Sequence, residues 1–172
     1  FEECTMKILG LVLLATSFAF GHTDVLEHGG MISGLMHLIR GLDHILAMVG
    51  VGMVAYFSQK VFPTFLAFVG AMIVAAIAGY SGMALFGVEE GILLSVAVVF
   101  GMVGFASRLS INFIVPIIAF FGIFHGFAHG AEFSEGSFLS FMAGFAISTI
   151  TLHLVGLAIA FGYDKKFASQ RA

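Results

Sequence analysis

Long apolar runs alternate with short polar breaks along almost the whole chain. Residues 30–57, 61–86, 91–106, 109–130 and 138–162 are the apolar runs. Ser58-Gln59-Lys60, residues 87–90, Ser107-Arg108 and residues 131–137 are the breaks. About 20 apolar residues in a helix cross about 30 Å of hydrocarbon. The pattern therefore predicts an all-α, polytopic membrane helix bundle with five mature transmembrane helices. The first run is longer than a span needs, which predicts a tilt or a bend. Pro63 sits near a helix start, where proline is tolerated, and Pro116 predicts a kink in the fourth span. Gly70 and Gly79 are expected to allow close helix contacts in the second.

A different segment precedes the spans. Met6-Lys7 opens a signal-peptide pattern, with an apolar core over residues 8–20 and a small-x-small site at Ala19-Phe20-Gly21. Its apolar core is too short to span. Cleavage after Gly21 gives a mature terminus at His22; an uncleaved anchor is the alternative. Residues 1–21 are thus read as leader, 22–162 as the transmembrane domain, and 163–172 as a tail. With His22 outside, Lys60, Arg108, Lys165 and Lys166 fall inside, while Glu89, Glu90, Glu132 and Glu135 fall outside. Every loop then obeys the positive-inside rule. The expected location is a bacterial inner membrane, with the amino end periplasmic and the carboxyl end cytoplasmic.

Composition agrees with a bilayer as solvent. Of 172 residues, 60% are hydrophobic and 10% charged, against about a quarter charged in a soluble domain. The net charge of −3 and the lack of a basic cluster exclude a nucleic-acid partner. Cys4 is the only cysteine, so disulfide frameworks and iron–sulfur clusters are excluded. The 7 histidines equal the sum of lysine and arginine. That balance turns attention to metal ligation and proton transfer.

Ionisable side chains inside a span are costly and suggest a functional site. The first run carries His37, Arg40, Asp43 and His44. On a continuous helix His37, Arg40 and His44 share a face, with Met48 a turn on and Asp43 at its edge. The fourth run ends in FHGFAHGAE, residues 124–132. His125 and His129, four apart, are on one helical face, and Glu132 continues it. His153 lies in the fifth run, near Ser148 and Thr149. At about 1.5 Å per residue, His37 is expected roughly 10 Å and His44 roughly 20 Å below the outer surface. The polar groups would form a ladder from the outer face to mid-membrane. Ahead of the first span, His22, Asp24, Glu27 and His28 suit ion capture, or are simply a solvated leader.

Each group also has a structural reading. His153 can bond a neighbouring carbonyl, Arg40 can pair with Asp43, and Met48 can be core. The conjunction of His37, His44, His125, His129, His153 and Asp43 in three spans favours a shared purpose. The metal-site candidates are therefore His37, Asp43, His44, His125, His129, Glu132, His153, His22 and His28. HExxH, GxSxG and phosphate-loop motifs are absent, so neither an enzyme nor a nucleotide-driven pump is expected. A membrane-embedded zinc hydrolase and a non-transporting metal chaperone or assembly subunit are the alternatives. A faint echo links Gly34–His37 with Gly122–His125; an inverted repeat and chance both explain it.

These residues carry a family resemblance. His37–Gly50, HLIRGLDHILAMVG, is similar to the first-span motif of the HupE/UreJ family of nickel/cobalt permeases. Residues 124–132 resemble that family's FHGxAHGxE motif, and Gly144-Phe145 through Leu152-His153 to Gly156 resembles its third. Leu38 stands where the family has proline, Arg40 is an added charge, and the family pattern has a further carboxyl-terminal span. The resemblance implies an inner-membrane permease carrying Ni²⁺ or Co²⁺ inward through an intramembrane His/Asp site. It implies no tightly bound cofactor. Histidine–carboxylate sites also suit Zn²⁺ and Cu²⁺. Expected partners are the divalent metal ion and the lipid bilayer. By resemblance alone they extend to hydrogenase or urease maturation proteins downstream. A homo-oligomer is left open.

Overall fold

The computed structural model describes residues 30–168, without the side chains at 39–40 and 167–168. The expected leader, with His22 and His28, lies outside the described residues. Six α-helices follow in order: α1 Met31–Arg40, α2 Leu42–Phe57, α3 Val61–Tyr80, α4 Val88–Val103, α5 Ile111–Glu132 and α6 Phe138–Ala168. A 3-10 turn, Ala106–Arg108, joins α4 to α5. No strand occurs among the described residues. Helices are the outcome an apolar solvent demands of such runs, because a helix satisfies its own backbone.

The breaks act where local chemistry permits. Gly82 at φ 84° and Gly87 at φ 71° take left-handed backbone that favours glycine. They bracket the turn between α3 and α4, so α3 stops at Tyr80, short of the expected Phe86. α5 passes through Pro116 as one helix.

The first run is bent, as its length predicts, but sharply enough to break the helix. It divides at Gly41 (φ −95°, ψ 114°) into two limbs bent by 84°. His37, Arg40 and His44 therefore do not share one continuous helical face. Glycine is the weakest non-proline helix former, and a side chain is unwelcome here. A Cβ would come 2.7 Å from His44 Nδ1 and 2.8 Å from Asp43 Oδ1.

α3, α5 and α6 are long and apolar enough to cross a membrane, and the bent α1–α2 pair makes a fourth if taken as one span. α4 has 16 residues, about 24 Å, and falls short of a full crossing. The expected count of five thus includes one short helix. Packing still alternates in direction. α1 meets α6 at Gly34 and Gly144, and α2 meets it at Gly52 and Gly156, in the same order along both. α3 follows α5 in parallel, with Phe68, Met72 and Ala76 carbonyls against Gly122, Gly126 and Gly130. α4 lies along α2, with Val99 at Gly50 and the 3-10 turn against α2. Near the far end of α2, the Tyr56 hydroxyl donates to Asp164 Oδ2 at 3.1 Å.

These approaches are backbone against backbone. A Cβ on Gly156 strikes the Val49 carbonyl, and one on Gly126 strikes that of Met72. Gly79 is likewise pressed against Phe127, as expected, but Gly70 faces open space. Gly156→Leu and Gly126→Leu should each cost about 1–3 kcal/mol or more, as overpacking does where neither side can yield. The measurement is the denaturation midpoint of the purified protein in detergent, with Gly70→Leu as a control that stays at the wild-type value. A wild-type midpoint for Gly156→Leu would show that α2 and α6 are not in such contact.

Candidate metal site

The polar groups converge where the α1–α2 break meets the end of α5. His37 Nε2–H donates to Glu132 Oε2 at 3.1 Å. His129 Nδ1 is 3.6 Å from the same oxygen. Ligand atoms of His37, His129 and Glu132 all lie within 4.8 Å of one another. Bonds of about 2.0–2.2 Å would put adjacent ligands about 3–3.5 Å apart, so a modest inward shift closes this trio on an ion. It is also the open part of the cluster, with the His37 side chain 35% and that of Glu132 50% exposed.

Behind this mouth is a buried set of rings. His129 is 4.7 Å from His37 and 4.7 Å from His44, centroid to centroid. His44 in turn is 5.0 Å from His125. His129 is thus shared between an outer and an inner group. His44 and His129 are nearly buried and His125 is fully so. α5 positions two of these rings because four residues is close to one helical turn. The break at Gly41 brings His37 and His44 to the same His129, from two limbs rather than from one face.

Asp43 stands directly behind His44. Its Oδ1 accepts from the His44 backbone N–H at 2.9 Å and from His44 Nδ1–H at 2.9 Å. That fixes the hydrogen on Nδ1 and leaves the lone pair on Nε2. Carboxylate-oriented imidazoles of this kind are a common second layer of metal sites. His44 Nε2, His125 Nδ1 and both His129 nitrogens are buried with no hydrogen-bond partner. Unpartnered buried polar atoms are rare and need an explanation, and neutral imidazole nitrogens in neighbouring rings are of the ligand type that suits a transition-metal ion.

His153 is placed apart. Its ring packs on Phe65 at 4.9 Å and Phe68 at 5.2 Å. Neither ring nitrogen has a hydrogen-bond partner in good geometry, and the Met48 main chain lies beside the ring. Phe68 also touches His125 at 5.5 Å, so one phenyl ring lies between the cluster and His153. Met48 itself is core, and Glu89 and Glu90 are exposed in the first turn of α4.

Two contributors escaped the sequence reading. Gly41 makes the break, and its signal was a glycine between two polar pairs. Ser95, in a span read as having no ionisable group, lies 2.9 Å from His125 Nε2. A lone serine in an apolar helix was the only sign of it.

Comparison with known proteins identifies the family. A family described as "HupE / UreJ protein" matches residues 10–172. Protein HupE of Rhizobium leguminosarum bv. viciae is 33% identical over 163 residues, covering 93% of this chain and 84% of that protein. No solved structure matches significantly. The match runs across both histidine motifs and all six helices, and the chain belongs to the HupE/UreJ family.

Proposed function

We propose that this protein is an inner-membrane permease that moves a divalent transition-metal ion, nickel or cobalt, into the cytoplasm. The observation that carries this reading is the sharing of His129. An ion held by His37, His129 and Glu132 can pass to His44 and His125 by exchanging ligands while His129 stays bound. Burial increases along the same line, from the half-open mouth to the closed ring of His125. Imidazole nitrogen suits nickel, cobalt, zinc and copper, and carboxylate at the mouth admits the hydrated ion.

In this reading His22 and His28 collect ions outside, with Glu132 at the entrance. Asp43 keeps His44 in the ligating tautomer and supplies negative charge close to the ion. His153 receives the ion on the inner side of Phe68. Movement is facilitated or proton-coupled. The delivered ion serves metalloenzyme maturation in the cytoplasm. A hydrolase or a chaperone has no comparable support, since neither needs two ligand groups linked by a shared histidine.

The test is radioactive nickel uptake by cells producing the protein, at matched membrane levels, with cobalt, zinc and copper as competitors. Asp43→Ala/His44→Ala should abolish uptake above the empty-vector level; normal accumulation by that variant would defeat the permease reading. Outer and inner groups should also separate kinetically. Glu132→Gln weakens capture, so half-maximal uptake should need at least about 10–100-fold more nickel, the loss already caused by removing a group that merely supports a ligand. His125→Ala should instead lower the maximal rate. Identical kinetic defects in the two variants would argue against sequential handling.

A further inference from the structure

α4 contributes one polar side chain to the interior, and it is aimed at the cluster. Ser95 is completely buried. Its Oγ is 2.6 Å from the Ile92 carbonyl oxygen and 2.9 Å from His125 Nε2. A hydroxyl has a single hydrogen. Two oxygens 2.6 Å apart require a hydrogen between them, and a carbonyl has none to give. The Ser95 O–H therefore donates to Ile92. The second contact must take its hydrogen from the ring, so His125 Nε2–H donates to the Ser95 oxygen.

That assignment fixes the other nitrogen. In a neutral imidazole the nitrogen without hydrogen carries the lone pair, here His125 Nδ1. This atom is buried and without a hydrogen-bond partner. The touching ring is set in the opposite sense, because Asp43 holds the hydrogen of His44 on Nδ1 and leaves Nε2 bare and buried. The two rings meet edge to face, with planes at 89°. Asp43 from α2 and Ser95 from α4 thus prepare two neighbouring rings, each to offer one lone pair. The bond to Ile92 is the ordinary way a helical serine satisfies its hydroxyl. It does not require an imidazole from α5 on the far side of the same oxygen.

We propose that Ser95 is a positioning residue of the metal path, which holds His125 in the Nε2–H form so that Nδ1 takes the ion passed on from His44 and His129. This rests on the permease reading and adds to it the atom that ligates and the group that selects it. Without the serine oxygen, Nε2 faces an apolar wall. The ring then gains by moving its hydrogen to Nδ1, which withdraws the lone pair from the path.

The experiment uses the full chain in lipid nanodiscs, as wild type, Ser95→Ala, Ser95→Cys and Ser95→Thr. Nitrogen NMR of the His125 ring, without metal, reports which nitrogen carries the hydrogen. Equilibrium dialysis with nickel reports affinity, and nickel uptake into vesicles is measured alongside. Wild type and Ser95→Thr should show Nε2–H. Ser95→Ala should shift hydrogen to Nδ1 and weaken nickel binding about 10–100-fold, as loss of a group supporting a ligand does, while Ser95→Thr restores most of it. Ser95→Cys keeps the size but offers a poor acceptor, and is read in place of Ser95→Ala if that variant does not assemble. Wild-type tautomer and affinity in the variant lacking the oxygen would overturn the proposal, as would a thermal midpoint that falls with no change in either. Failure of the permease reading is separately visible, as absence of uptake by the wild-type protein.

Discussion

The break at Gly41 is the constraint on which the site depends. Inside a bilayer a broken helix must find partners for the backbone groups it frees. Asp43 supplies one by accepting from the His44 N–H, and the Ile45 N–H closes onto the Gly41 carbonyl at 3.0 Å. The break also brings two helix ends of opposite polarity together. The carbonyl end of α1 favours a cation, whereas the amino end of α2 opposes one. Asp43, in the first turn of α2, cancels the unfavourable end. One residue therefore completes the bend, orients the His44 ring and corrects the local field.

The second requirement is closeness, and the FHGFAHGAE segment meets it by pairing each histidine with a glycine. Gly122, Gly126 and Gly130 form a stripe of one residue per turn, pressed on α3. His125 and His129 precede two of these glycines, so they sit about 100° away around the same helix. That second stripe faces α2, where His44 is met. Glycine against backbone lets α5 lie close to α3 without side chains between them. Rings on the adjoining face then approach the break instead of being held away by bulk.

Much of this was legible from residues alone. The starts at Val61 and Phe138 follow from the turn residues before them, and His125 and His129 share a face by spacing. The meeting of His37 with Glu132 was not legible, because the two are far apart in sequence and their contact depends on α1 turning by 84°. The length of the first run predicted a tilt or a bend but not its place, and glycine in an apolar span more often signals packing than a break. The depths expected for His37 and His44 rested on rise per residue, which measures depth only along an unbroken helix. A gradient of burial is what the structure shows, and it depends on neighbours from all six helices. Ser95 was invisible for a different reason, since its role comes from a single hydrogen that only the Ile92 and His125 distances together assign.

The charge arrangement bears on which ions the path admits. A divalent ion entering a low-dielectric site is stabilised only if countercharge lies nearby. Two carboxylates flank the histidines: Glu132 belongs to the outer trio itself, while Asp43 touches His44 from behind. Their formal charges together balance one divalent ion. Neither belongs to His125, which is held instead by the neutral Ser95. Under the proposed permease reading, an ion moving inward would leave a carboxylate ligand, pass a ring backed by a carboxylate, and reach a ring backed by a hydroxyl. Ligand strength falls in that order, since a carboxylate behind an imidazole raises its basicity and a hydroxyl does so less. In that reading such a gradient would work against trapping: the strongest hold would be at the entrance, where dehydration must be compensated, and a weaker one at His125, from which the ion passes on toward His153.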